Sequence, residues 1–215
     1  RYKPSSLRKR QFSCSTFMMY LGLDRTYDIE HHTIVFARNY KKNIQAITSG
    51  QTDMEDVSMY IRNAQKNDPY GAPAGHSALY ILLPVANNTS GVSWQEYKQI
   101  YREKVLQLLR ERTPYGDVSQ HIQQELIITP EDWEKRHSVF LGATFNMAHS
   151  WHQMMYLRPH NEFEEFENCY LVGGGTHPGS GLPTIFESAR ISANLICEKN
   201  EIPFPVSKPL ELALA

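Results

Sequence analysis

Three cysteines in 215 residues, a formal net charge of −1, and no apolar run near the roughly 20 residues that span a bilayer set the first limits on this chain. Cys14, Cys169 and Cys197 form no paired spacing, so neither a disulfide framework nor a cysteine-rich zinc site is expected. An odd, scattered count suits a reducing compartment, and the chain reads as cytoplasmic. The near-zero net charge argues against general nucleic-acid binding. There is no internal repeat, no low-complexity tract and no apolar leader near the start. The chain begins with Arg1 rather than Met, and its basic opening suggests a piece of a longer protein. Nothing in the sequence specifies an oligomeric state.

The composition is that of a soluble globular protein, with 41% hydrophobic and 21% charged residues. Charge is unevenly placed. Arg1, Lys3, Arg8, Lys9 and Arg10 open the chain without an acid, while Glu162, Glu164, Glu165 and Glu167 cluster further on. The basic start suits either a solvated flank or an anionic membrane surface. Residues 13–23, 32–36, 58–63, 77–85 and 122–128 read as strands. In the first, Phe17, Met19 and Leu21 share one face, with Met18 and Tyr20 on the other. Residues 39–47 suggest a short helix closed by Gly50. A longer helix starts at Ser93, with Glu96 placed for a capping box, and stops before Pro114 and Gly116. Thr129 to Asp132 starts another, with Pro130 at its first position. This irregular alternation predicts an α+β layer with a mixed sheet, not a regular βαβ series.

After Pro159 the texture changes. Cys169–Val172 is a short apolar run of the kind found in a central parallel strand. Glycines follow at 173, 174, 175, 179 and 181. Apolar residues then fall at 182, 185, 186, 189, 193 and 196, one face of a helix. The tail after Asn200 carries Pro203, Pro205 and Pro209 and is expected to be extended or disordered.

A strand, a glycine-rich turn and a helix can form one wall of a dinucleotide site. Glycine lets the backbone approach a ligand, and a helix N-terminus offers free N–H groups and a positive dipole end. The spacing departs from the dinucleotide fingerprint, however. Pro178 stands where the third glycine would be, and no acid follows at the required distance. The P-loop ending is absent as well. Spacing alone therefore leaves a cofactor turn and a tight structural turn both open. His149 and His152 lie three apart but lack the companions of a zinc site, and no metal is expected. Gly179-Ser180-Gly181 is too compact for a nucleophile elbow. Trp151 and Tyr156 suit an apolar cavity or ordinary core packing equally.

The block from Tyr170 through Pro183, followed by Glu187, Ser188, Ala189 and Arg190, resembles the C-terminal signature of the bacterial-type phytoene desaturases. Further blocks match in order: Phe17 to Asp24, His31 to Thr33, Ala72 to Gly75, Leu79 to Val85, and Arg158 to Asn161. The resemblance covers roughly residues 12–198.

It implies a substrate-binding α+β domain over 1–165, the last strand–turn–helix of a two-part, Rossmann-like FAD-binding domain over 166–200, and a tail over 201–215. The ADP-binding Gly-x-Gly-x-x-Gly unit of that family is absent from this chain. By analogy, Gly174, Gly175 and Thr176 would lie beside the flavin or its ribityl–diphosphate chain. Gly181, Leu182 and Pro183 would stand near the ring. The implied reaction is FAD-dependent dehydrogenation of a long isoprenoid hydrocarbon by an enzyme peripheral to the membrane. The resemblance identifies no catalytic side chain. A non-catalytic isoprenoid-binding module, a carotenoid isomerase or a carotenoid oxygenase would also fit.

Overall fold

A computed structural model describes residues 3–51 and 56–205. The expectations for Arg1 and for residues 206–215, Pro209 included, lie outside the described residues. Two compact units divide the chain, Arg1–Asn146 and Met147–Ala215.

The first unit is built on five strands: β1 (Ser15–Leu23), β2 (His32–Val35), β3 (Met59–Asn63), β4 (Ser77–Val85) and β5 (Ile122–Ile128). Their order is β2-β3-β4-β1-β5, and each pairing is antiparallel. The α+β mixture is as expected, but the sheet is antiparallel where a mixed one was predicted. The reason lies in the side-chain pattern. Along β3 and β4 buried residues alternate with partly or fully exposed ones, as in an antiparallel sheet covered on one face, whereas parallel strands are buried on both faces and read as continuous apolar runs.

Strict alternation fixes the sheet's faces. Along β4, buried and half-buried residues alternate from Ser77 to Val85. Phe17, Met19, Leu21, Ile61, Leu79, Ile81 and Leu83 are at most 2% exposed and form the core side. Helix α3 (Trp94–Arg112) covers them with Trp94, Tyr101, Val105, Leu108 and Leu109. The Phe17 ring centroid lies 5.3 Å from that of Tyr101. On the opposite face Tyr20 meets Tyr80 edge-on across the β1–β4 register. Met18, on that same face, is nevertheless buried.

Helix boundaries follow local chemistry with one exception. After the short helix α1 (Pro4–Leu7), helix α2 (Tyr40–Thr48) is capped by the Asn39 side chain, which accepts from the Lys42 N–H, and Gly50 follows at φ 75°. Helix α3 begins after Ser93 as expected, yet the Ser93 hydroxyl makes no capping bond. Its entry is set instead by the burial of Trp94, with the Ser93 carbonyl accepting from Glu96 and Tyr97. Thr113 is extended, as a residue before proline must be, and the helix ends there.

The capping box forms on helix α4 (Pro130–His137). The Thr129 hydroxyl accepts from the Asp132 N–H, and the Asp132 carboxylate accepts from the Thr129 N–H at 3.0 Å and its hydroxyl at 2.8 Å. Burial alone would raise the Asp132 carboxyl. The Thr129 hydrogen bonds, with Arg136 and Lys98 nearby, outweigh it and hold the group below its ordinary value. A carboxyl depressed by folding stabilises the fold above its unfolded value, about 3.9, and that contribution disappears as pH falls through the folded value. Asp132→Asn is therefore expected to cost about 1 kcal/mol at neutral pH. Urea unfolding should show the gap from wild type narrowing below about pH 4. A gap independent of pH would refute the assignment.

Candidate functional site

The second unit has little regular structure before helix α5 (Leu182–Lys199). The expected strand over Cys169–Val172 does not form. Tyr170 makes a single antiparallel bridge with Glu162, supported by Phe163 N–H to Cys169 O and Leu171 N–H to Asn161 O. Among the described residues the run thus has a backbone neighbour on one side only. A central strand needs one on each side, and Val172 is left 62% exposed.

The glycine turn that follows is held from below by the segment Arg158–Asn161. The buried Asn161 amide donates to Leu171 O, Ser188 O, Ser188 Oγ and Ser192 Oγ at 2.9–3.3 Å. Ser188 Oγ also accepts from the Gly173 N–H and lies 2.7 Å from Thr176 Oγ1. Ser192 donates to Leu171 O.

This network explains why the helix phase differs from the expected one. Ser188 and Ser192 turn inward because the turn's polar groups need partners, and an unpaired buried group costs about 1–3 kcal/mol. The apolar stripe of Leu182, Phe186, Ala189, Ala193 and Ile196 is consequently exposed, with Leu182 and Phe186 at 72% and 71%.

The sequence-derived site residues lie together on this turn and at the start of α5. Gly174 is packed so that a Cβ would stand 3.0 Å from Ser180 Oγ and 3.1 Å from Ser180 Cβ. Gly173, Gly179 and Gly181 have φ of 108°, 154° and 114°, so each needs glycine's freedom. Gly175 is half-buried. Thr176 is buried, and its hydroxyl donates to Gly173 O, so that side chain braces the turn. Gly181 is the N-cap of α5, where Ile185 N–H and Thr184 Oγ1 both return to Gly181 O. Pro183, in the first turn, has no N–H, which leaves those of Leu182 and Thr184 at the positive end of the helix. Glu187 and Arg190 pair with each other at 2.7–2.8 Å on the exposed side.

Two residues not assigned to the site from sequence prove central. Arg158 is 0% exposed, donating Nη1 to Gly174 O at 3.1 Å and Nη2 to Met147 O at 2.8 Å. Its Nε is buried without a partner, and desolvation pushes the guanidinium below its ordinary value. His149, first considered for metal binding, instead accepts the Ser180 N–H on Nε2 at 3.3 Å. The signal for Arg158 was present in the Arg158–Asn161 block, but nothing local said that it would lie under Gly174. Among the described residues no group of three or more metal-binding side chains converges.

A cavity of about 710 Å³ lies beside this cradle, between residues 160–167 and the inner side of α5. Phe163, Phe166, Ile191 and Leu195 give it apolar walls, and Glu162, Glu164, Glu165 and Glu167 line it as well. Of the turn, only His177 reaches it. With its acids it is a poor place for an anion, so the cradle and the cavity are chemically distinct.

No protein-family model matches the chain. Curated proteins do. The chain is 55% identical over 204 residues to 4,4'-diapophytoene desaturase (4,4'-diapolycopene-forming) of Methylomonas sp, a match covering 95% of this chain and 40% of that protein. It is 41% identical over 217 residues to all-trans-zeta-carotene desaturase of Myxococcus xanthus, covering 98% and 41%. Against phytoene desaturase (neurosporene-forming) of Rhodobacter capsulatus it is 36% identical over 202 residues, covering 91% and 38%. The chain spans about two fifths of the length of these relatives. Over nearly its whole length, then, the chain is similar to phytoene and diapophytoene desaturases, a likeness consistent with the bacterial-type phytoene desaturase family.

Proposed function

We propose that the full-length protein is a FAD-dependent desaturase that removes hydrogen from a long isoprenoid hydrocarbon, a precursor of the phytoene or diapophytoene type, in carotenoid biosynthesis. Residues 1–165 would serve the substrate-binding part, and 166–200 would close a two-part FAD domain. The observation that carries the reading is the glycine cradle at the start of α5. It stands over a buried guanidinium, in a chain whose relatives are named as desaturases.

The residues present fit the cofactor. Gly174 fills a place where a Cβ would press on Ser180, Gly173 and Gly181 keep positive φ, and Arg158 Nε is a buried donor without an acceptor. Gly174, Gly175 and Thr176 would line the flavin's ribityl–diphosphate side, Thr176 through its backbone because its hydroxyl is engaged inward. Gly181, Leu182 and Pro183 would border the ring. The Leu182 and Thr184 N–H groups and the α5 dipole suit negative charge there. When bound, FAD supplies the oxidation, taking up a hydride as the neighbouring carbon loses a proton.

The rest of the chain's task is burial and alignment. A hydrocarbon has no polar handle, so its binding rests on apolar contact at about 25 cal/mol per Å², and rate on how well it is positioned. The exposed stripe Leu182, Phe186, Ala189, Ala193 and Ile196 suits a helix that packs on the sheet of a larger FAD domain. We place the protein at the cytoplasmic surface of the membrane. No helix among the described residues is long and apolar enough to cross it.

The full-length protein, loaded with FAD and given phytoene or diapophytoene in lipid vesicles, should yield products with longer conjugated systems. Bound hydrocarbon with an unchanged double-bond count would overturn the desaturase reading in favour of a binding module or an isomerase.

A further inference from the structure

Arg158 presents an electrostatic problem that the turn does not solve. Its side chain is 0% exposed, and no carboxylate among the described residues lies within ion-pair distance. Two of its donors meet the carbonyl oxygens of Gly174 and Met147, while Nε meets nothing. Carbonyls supply partial negative charge only, and an isolated buried ion costs several kcal/mol. A guanidinium stays protonated under such conditions, so burial cannot be relieved by losing the proton. Bonding two carbonyls does not require a charge either, since a neutral amide would serve.

The surroundings add positive potential instead of cancelling it. The N-terminus of α5 opens at Gly181 on the same turn. A Cβ on Gly179 would stand 3.5 Å from Arg158 Nε and 3.4 Å from His149 Nε2, so the turn's backbone runs directly against the unpartnered donor. His149 Nε2 accepts the Ser180 N–H and brings no negative charge to the turn. The one nearby acid of α5, Glu187, is taken by Arg190.

We propose that Arg158 is the buried counter-charge for an anionic part of the dinucleotide held at this turn. It would act as a positioning residue through the Gly174 peptide. This rests on the FAD reading above. The shared chemistry is negative charge, and two sources fit: the diphosphate, or the N1–C2=O edge of the ring, which becomes anionic when the flavin is reduced.

The test uses the full-length protein with FAD. Arg158→Gln keeps a hydrogen-bond donor and removes the charge. Arg158→Lys keeps the charge and loses the planar fork. Flavin affinity, two-electron reduction potential and melting temperature are measured for each. If the diphosphate is the partner, Arg158→Gln weakens oxidised and reduced FAD alike, by about tenfold or more, each tenfold being about 1.4 kcal/mol. If the ring edge is the partner, only the reduced form weakens. Tenfold there lowers the potential by about 30 mV for a two-electron couple. Arg158→Lys should recover most of either loss. A lower melting temperature with unchanged affinity and potential in Arg158→Gln would reduce Arg158 to a brace and overturn the proposal.

Should Arg158→Gln fail to accumulate, the wild-type holoenzyme decides. Sulfite adds through its sulfur lone pair to flavin N5 and leaves the negative charge on the N1–C2=O edge. Inorganic pyrophosphate competes for a cationic phosphate cradle. Either response supports the counter-charge, and the absence of both overturns it. A full-length wild type that binds no flavin would instead defeat the FAD reading itself.

Discussion

Gly174→Val in the full-length protein is expected to purify with little or no flavin, its FAD affinity lowered at least about tenfold, while the polypeptide still folds. A Cβ at this position meets Ser180 Oγ at 3.0 Å, Cβ at 3.1 Å and Cα at 3.4 Å, and valine adds two further methyl groups to that already tight contact. Ser180 belongs to the same turn, and its N–H is held by His149, so it cannot swing away freely. Displacing residue 174 also moves the carbonyl that receives Arg158 Nη1. Overpacking typically costs about 1–3 kcal/mol, and every 1.4 kcal/mol expressed in binding is tenfold in affinity. Gly174→Ala should be intermediate, because Ser180 need give only a few tenths of an ångström. The measurement is the flavin-to-protein absorbance ratio after dialysis, with circular dichroism to show that the variant is folded. A valine variant with a full complement of flavin would show that the turn does not contact the cofactor.

Gly142→Ala should produce the largest loss of stability from a single methyl group in the first unit. Gly142 has φ 63°, and a Cβ there would stand 2.3 Å from Pro130 O and 3.0 Å from Asn88 Nδ2. The opposing atom is backbone at the first residue of α4, whose capping box locks it in place. Asn88 Nδ2 donates to that same carbonyl at 3.1 Å, so a shift would break this bond too. The left-handed conformation contributes about 1–2 kcal/mol, and the clash about 1–3 kcal/mol more. Gly75→Ala is the control, since Gly75 has φ 77° with nothing within 4 Å of a Cβ. It should cost only the conformational part, about 1–2 kcal/mol. Urea midpoints of the two variants separate strain from collision. Equal losses would show that Pro130 yields and that the approach is not rigid.

Much of the first unit was legible in the sequence. The run 77–85 became β4 with the same bounds, because alternation of side chains is written one residue at a time. The helix starts show the limit of such reading. Ser93 with Glu96 and Thr129 with Asp132 carry similar capping signatures, yet only the second closes as a box. What separates them is the cap residue's own burial: Thr129 is 2% exposed and its hydroxyl must find a partner inside the protein, whereas Ser93 is exposed and water can serve it.

The second unit was read less well, for reasons of partnership. Cys169–Val172 has the composition of a central strand but a neighbour on one side only among the described residues. The apolar spacing of α5 was correctly seen, yet the face it defines is the exposed one. Periodicity reports that a helix has an apolar stripe. It does not report which side other groups will claim, and here the hydrogen-bonding demand of Asn161, Gly173 and Thr176 turned Ser188 and Ser192 inward.

By itself, then, the sequence determined the strands of the sheet, the starts of helices α2 to α5, and a glycine-rich turn before the last of them. Those features depend on φ freedom and on side-chain period, which are local. Only the tertiary structure decided that Arg158, sixteen residues before Gly174, lies buried beneath it, that His149 holds Ser180, and which face of α5 meets the turn. Buried polar groups must find partners wherever the chain brings them, and that pairing is set by the fold as a whole.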